Sequence, residues 1–211
     1  MIAPGYRTTR GYTSIVSDES FSRPAARDAL FDGAKRLFAT HGYARTSHAD
    51  IAFEAGIGRT TFYEYFASKE DLLIQLVERD LPALIEEIVE SVPAELPPDV
   101  RMRELTARMV EFVGTDHIGL ILHTEVPRLS VDAQAAIAKS HRGLGAEFMA
   151  IYRSGVDSGE FREIPPALAA RLIESTIMTG GRVVMDFDDP KQHVHDTAGS
   201  TADFLVGALR R

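Results

Sequence analysis

The side chains best placed to do chemistry sit on one short run. Arg59, Thr60, Tyr63 and Glu64 share one flank of a helix that can span residues 59–66, while Phe62 and Phe66, one turn apart, face the other way. Upstream, Thr46 or Ser47 offers the hydroxyl that a helix N-terminus wants for its orphan amides. Ile51, Ala52 and Ala55 then make one apolar stripe. Gly56 can take the left-handed backbone angle of a chain leaving a helix, and Ile57 can plug the corner. Helix, short glycine turn, helix is the helix-turn-helix pattern, whose second helix enters the DNA major groove.

Other chemistry is poorly supported. Gly56-x-Gly58-x-x-Thr61 has the spacing of a phosphate loop, but it follows a helix rather than a strand and no Gly-Lys-Ser/Thr is present. Asp186, Asp188, Asp189, His193, His195 and Asp196 are metal-capable side chains, yet their spacing fits no standard loop and Pro190 suggests an exposed connection. No Ser/His/Asp arrangement or nucleophile elbow occurs. The expectation is a protein that is not an enzyme and holds no metal and no cofactor.

Read with residues 30–41 before it and residues 69–73 after it, residues 46–66 resemble the N-terminal domain of TetR-type repressors. The matching stretches are AKRLFATHGYARTS, DIAFEAGIGRTTFYEYF and SKEDLL, roughly the first third of the folded chain. The resemblance implies DNA contacts from Arg59, Thr60, Thr61, Tyr63 and Tyr65. An arginine can fork onto guanine O6 and N7, and a threonine methyl can touch a thymine methyl. Tyrosine hydroxyls, and Thr46, Ser47 and Lys69 at two helix N-termini, can reach phosphates. Gly58 stands where the family usually has a serine or threonine cap, and glycine caps only a few tenths of a kcal/mol less well. Glu64 stands where a basic, polar or aromatic residue is more common, which bears on operator sequence and affinity.

The net charge of −8 looks wrong for a nucleic-acid binder until the chain is divided. Residues 1–71 carry nine Lys/Arg and nine Asp/Glu, so the whole excess lies in residues 72–211, with 14 against 22. A neutral module can present a local basic edge through Arg27, Arg36, Arg45, Arg59 and Lys69, with the acidic body orienting it. No apolar run reaches about 18 residues, the N-terminus lacks a signal-type apolar core, and the default location is the cytoplasm. There are no cysteines, so disulfides and thiolate metal sites are excluded.

The elements that must carry this edge read as helices throughout. Residues 1–20 form a polar tail, with Arg7 and Arg10 as candidates for a minor-groove arm. Residues 21–68 are expected to be the helix-turn-helix domain and residues 69–211 a helical effector-binding and dimerisation domain. A first helix should begin near Pro24, and a fourth should run over residues 69–91 with a kink or break at Pro82. Beyond the proline-rich residues 92–99, helices are expected near 99–114, 117–128, 130–156, 165–187 and 193–210. The fold class is all-α.

Two features of the C-terminal part carry further expectations. Leu172, Thr176, Gly180 and Val183, with Thr201 and Leu205 of the last helix, make an apolar-to-small face. Paired mid-helix glycines cost about 1 kcal/mol each, so close packing should compensate them. The resemblance implies that the last two long helices form a four-helix dimer interface, which also sets two recognition helices on a palindromic operator. The resemblance also implies a small-molecule pocket among the middle helices, from Met109, Phe112, His123, Phe148, Tyr152, Met178 and Thr179. Walls of that kind suit a hydrophobic effector with few polar groups. The reading is a homodimeric TetR-type regulator, a repressor released from DNA by such an effector. The alternatives are a helical small-molecule-binding protein or enzyme with a vestigial DNA module, and a protein-interaction module.

Overall fold

The computed structural model describes residues 23–140 and 142–211, apart from the side chains of His117, Leu120, His123 and Thr124. The expected arm with Arg7 and Arg10, and the side chain of His123, therefore lie outside the described residues. Helix α1 (Arg23–His41) starts as Pro24 suggests and buries Leu30, Phe31, Ala34 and Phe38. Ser47, not Thr46, caps α2 (His48–Glu54): its Oγ accepts from the Asp50 amide while Asp50 accepts from the Ser47 amide, a reciprocal capping box. Gly56, at φ 68°, closes α2. The Ile57 amide donates to Ala52 O at 2.9 Å and the Gly56 amide to Phe53 O at 3.0 Å, which is the Schellman pattern. The chain then enters α3 (Arg59–Tyr65), whose Phe62 is fully buried beside Phe66.

Helix α4 (Lys69–Glu90), capped by Ser68, runs unbroken through Pro82, contrary to a break there. Pro82 lies on the exposed side, and so does Glu78 four residues back, whose carbonyl loses its intrahelical donor. Leu81 and Ile85, buried on the other side, hold both halves in one core. The body follows with α5 (Pro98–Thr115), α6 (His117–Thr124), a 3-10 turn (Val126–Arg128), α7 (Val131–Ser140), α8 (Arg142–Asp157), α9 (Pro166–Met185) and α10 (Pro190–Leu209). The helix expected over 117–128 stops early because Pro127 has no amide to continue it. The last helix starts earlier than residue 193, with Pro190 in its first turn rather than in a loop. No strand is present among the described residues; an isolated bridge pairs Phe161 with Arg210.

Two apolar clusters hold these helices. One gathers α1 to α3 around the N-terminal half of α4 and extends to Ile118, Ile121 and Ile137. The other surrounds α5, which packs between α9 and α10. Gly180 is where α9, α10 and α5 meet: a Cβ there would lie 2.6 Å from Thr201 Oγ1 and 3.0 Å from Val110. The glycine is therefore required by packing within the subunit.

Candidate DNA interface and ligand chamber

The flank of α3 stands clear of the fold. Arg59, Thr60, Tyr63 and Glu64 are exposed, Tyr63 by 51%, while Thr61 and Tyr65 are half-buried. The capping box and the Gly56 turn aim α3, and Phe62 pins it from beneath. Gly58 enters the helix in extended conformation with no side-chain cap, leaving the first amides of α3 unobstructed. Tyr63 is held by a residue that spacing alone does not reveal. Its hydroxyl lies 2.8 Å from His48 Nε2, and the two rings are 5.1 Å apart.

Three other expected contacts are drawn into the fold. The Thr46 side chain is buried, with its hydroxyl donating to Gly42 O at 2.9 Å, so it braces the turn before α2 rather than facing a phosphate. Ser47 is exposed, but its hydroxyl sits 2.7 Å from Asp50 Oδ2. The Ser47 backbone and hydroxyl together hold the Asp50 carboxyl below its ordinary pKa. Lys69 donates from Nζ to Tyr43 O at 2.7 Å and to Thr46 O at 2.8 Å, 4.1 Å above the Tyr43 ring. Burial lowers the Lys69 pKa, against the pull of Glu125. Burial, then Glu70 and Glu125, pushes the Tyr43 phenol up to about 12. The clamp ties the start of α4 to the loop before α2, and one Nζ hydrogen remains for a phosphate.

Behind this module the body is hollow. A chamber of about 440 Å³ lies between α4 and α9. Its walls include Leu81 and Ile85 of α4, Met109 and Phe112 of α5, Phe148 of α8 and Met178 of α9. Its polar lining residues among those described are Gln134, Arg142 and Glu174. Met109, Phe112, Phe148 and Met178, which the resemblance assigns to a pocket, all line this chamber. Tyr152 is not: it is buried in the second core, its hydroxyl donating toward Arg162 O (3.1 Å) or Ile164 O (3.3 Å) and accepting from the Ile164 amide (2.9 Å). That hydroxyl closes the loop after α8 instead of facing a ligand. Thr179 points the other way, onto the outer face of α9 and α10.

That outer face holds an open groove of about 630 Å³ whose lining includes Leu172, Thr176, Gly180, Val183 and Thr201, the residues assigned above to a dimer interface, together with Phe187 and Phe204. Phe204 is 69% exposed. Leu205 departs from the expectation: it is buried inside the subunit, one residue round the helix from the face that Phe204 presents. No cluster of three or more metal-capable side chains occurs among the described residues.

Fold and exposed flank together define a helix-turn-helix DNA-binding protein carried on a hollow helical body. The family model for bacterial regulatory proteins of the tetR family matches residues 30–76, and that for the tetracyclin repressor-like C-terminal domain matches residues 95–179. The chain belongs to the tetR family and is a DNA-binding regulator of transcription. It is 25% identical over 183 residues to the fatty acid metabolism regulator protein of Bacillus subtilis, covering 85% of this chain and 93% of that one. It is 27% identical over 187 residues to the transcriptional repressor KstR2 of Rhodococcus jostii, covering 82% and 90%. The solved structure of FadR from Bacillus subtilis in complex with stearoyl-CoA superposes with a TM-score of 0.71 at 22% identity, covering 87% of this chain and 99% of that one. No described helix is long and apolar enough to cross a membrane.

Proposed function

We propose that the protein is a homodimeric repressor that leaves a palindromic operator when a largely apolar small molecule fills the chamber. One observation carries this: Leu81 and Ile85, in the wall of the chamber, belong to the same helix that buries Leu72 and Leu73 under the reading module. An occupant that pushes on α4 therefore acts on the angle at which α3 is presented. Such a ligand lowers operator affinity only by its preference for the arrangement in which the two α3 helices are wrongly spaced. The apolar walls and the roughly 300–1,000 Å³ range of small-molecule sites support a ligand of modest size. The stearoyl-CoA bound by the Bacillus subtilis FadR suggests a fatty-acyl chain as its apolar part.

In this reading Arg59, Thr60, Thr61, Tyr63 and Tyr65 meet the operator, and Ser47 and Lys69 support it through phosphates. Thr46 drops out of the contact set. The groove around Leu172, Val183 and Phe204 receives the same face of a second copy, because an isologous contact is self-complementary. Residues 21–68 then form the reading domain and residues 69–211 the effector and dimer domain, with α4 shared between their cores. A regulator that reads chromosomal DNA acts in the cytoplasm. The test is a gel-shift titration with the DNA upstream of its own gene, with and without a long-chain fatty acid. A shift that the fatty acid reverses is expected; no shift at low salt overturns the reading.

A further inference from the structure

The polar residues of the chamber differ in what they have left to offer. Gln134 uses its amide nitrogen on Leu129 O at 3.0 Å and Pro127 O at 3.5 Å, so toward the cavity it has only an acceptor oxygen. Glu174 pairs with Arg171 at 3.3 Å, and its carboxylate can only accept or repel. Arg142, at the start of α8, has no ion-pair or hydrogen-bond partner among the described residues. It is also the one Lys or Arg in the described lining. A guanidinium presents paired donors in a planar fork that matches a carboxylate. Every other described wall position is apolar or acceptor-only toward the cavity.

We propose that Arg142 is the head-group anchor of the effector, and that the chamber selects an apolar chain ending in a single carboxylate over a polyanionic conjugate of the same chain. The inference rests on the chamber being the effector site, as proposed above. One arginine neutralises one carboxylate; a nucleotide-bearing thioester would bring several phosphates to a rim that offers Glu174 against them. The excess of acidic residues over residues 72–211 works in the same direction. The carboxylate end sits at Arg142 and the chain runs inward between Phe112, Phe148 and Met178 toward Leu81 on α4. Head-group recognition is thereby coupled to the helix that carries the reading module.

Calorimetric titration of the full chain with dodecanoate, dodecan-1-ol and dodecanoyl-CoA separates the possibilities without using DNA. Dodecanoate should bind roughly tenfold or more tighter than the alcohol, the scale of a hydrogen bond to a charged group, and tighter than the CoA thioester. Arg142→Gln should erase the advantage of dodecanoate over the alcohol and leave the alcohol unchanged, while Arg142→Lys should retain part of it. Equal weakening of all three probes by Arg142→Gln would make Arg142 a structural residue and overturn the proposal. So would tightest binding of the CoA thioester, or dodecanoate binding that ignores the substitution. Failure of all three probes to bind would instead remove the effector chamber itself, and this proposal with it.

Discussion

Around Phe62 the helices close on one another; around Phe112 they stand apart. In the reading module, two seven-residue helices are locked by a capping box, a left-handed glycine and an aromatic cluster in which Phe62 meets His48, Tyr63 and Phe66. In the body, longer helices with equally apolar stripes leave about 440 Å³ unfilled. A space of this size with mostly apolar walls falls within the range of small-molecule sites. One part is filled by its own side chains, and the other is not.

The largest expected effect strikes the joining of two such bodies. Phe204→Glu puts a charge on the most exposed aromatic side chain of the α10 face. The protein should elute as a monomer, and operator binding should fall by roughly a hundredfold or more as bivalent engagement is lost. A dimer that survives this change would place the subunit contact elsewhere. Next in size, Arg59→Ala with Tyr63→Ala should weaken operator binding by about a hundredfold, on the scale of one lost base contact and one lost phosphate contact. Circular dichroism and dimerisation should be unchanged, because both side chains are exposed. Loss of folding would instead make the flank part of the module's core.

The two regions also differ in how far the sequence discloses them. The module is readable because its signals are local: Ser47 and Asp50 three apart, Gly56 after Ala55, Phe62 and Phe66 one turn apart. What stays hidden there depends on the angle between helices. His48 meets Tyr63 fifteen residues on only because α2 and α3 cross where they do, and a one-residue shift of the cap turns Thr46 inward. In the body the apolar stripe of a helix facing a cavity is the same as that of a helix facing a filled core. Periodicity therefore finds Met109, Phe112, Phe148 and Met178 but does not separate them from Tyr152, whose hydroxyl serves a loop, or point to Arg142. Gly180 and Gly181 signal close packing correctly, but whether Thr201 of the same chain or a second chain lies opposite is not a property of α9 alone.

The hollow can be tested by filling it. Gly145 lines the chamber on α8, and a Cβ there would meet nothing within 4 Å. Gly145→Phe should occupy the cavity and lower dodecanoate affinity by on the order of tenfold or more, about 1.4 kcal/mol. Folding should persist, since the helix gains propensity on losing a glycine, but operator binding should fall, because the ring fills the chamber beside Leu81 and Ile85 as the proposed effector does. The result would be a repressor held in its released arrangement without any ligand. Unchanged dodecanoate binding in this variant would place the ligand outside the chamber.

The smallest effect concerns the join between the two regions. Asp80 on α4 accepts from Arg79 Nε at 2.5 Å and lies 3.4 Å from Lys35 of α1, while Arg79 reaches Asp28 of α1 at 3.3 Å and covers the Phe31 ring. Partial burial works to raise the Asp80 pKa, but the Arg79 hydrogen bond and the charges of Arg79 and Lys35 outweigh it and hold the carboxyl below its ordinary range. A carboxylate depressed in the folded state stabilises above its unfolded pKa of about 3.9 and loses that contribution as pH falls through its folded value. Asp80→Asn should therefore cost about 1 kcal/mol at pH 7 in urea unfolding, the scale of a partly exposed pair. The gap between the two proteins should shrink on acidification below about pH 4. A gap that persists undiminished at about pH 3, well into that window, would mean that the substitution disturbs packing rather than charge. No gap at neutral pH would mean that the apolar side chains of α4 hold it to the module without help from this pair.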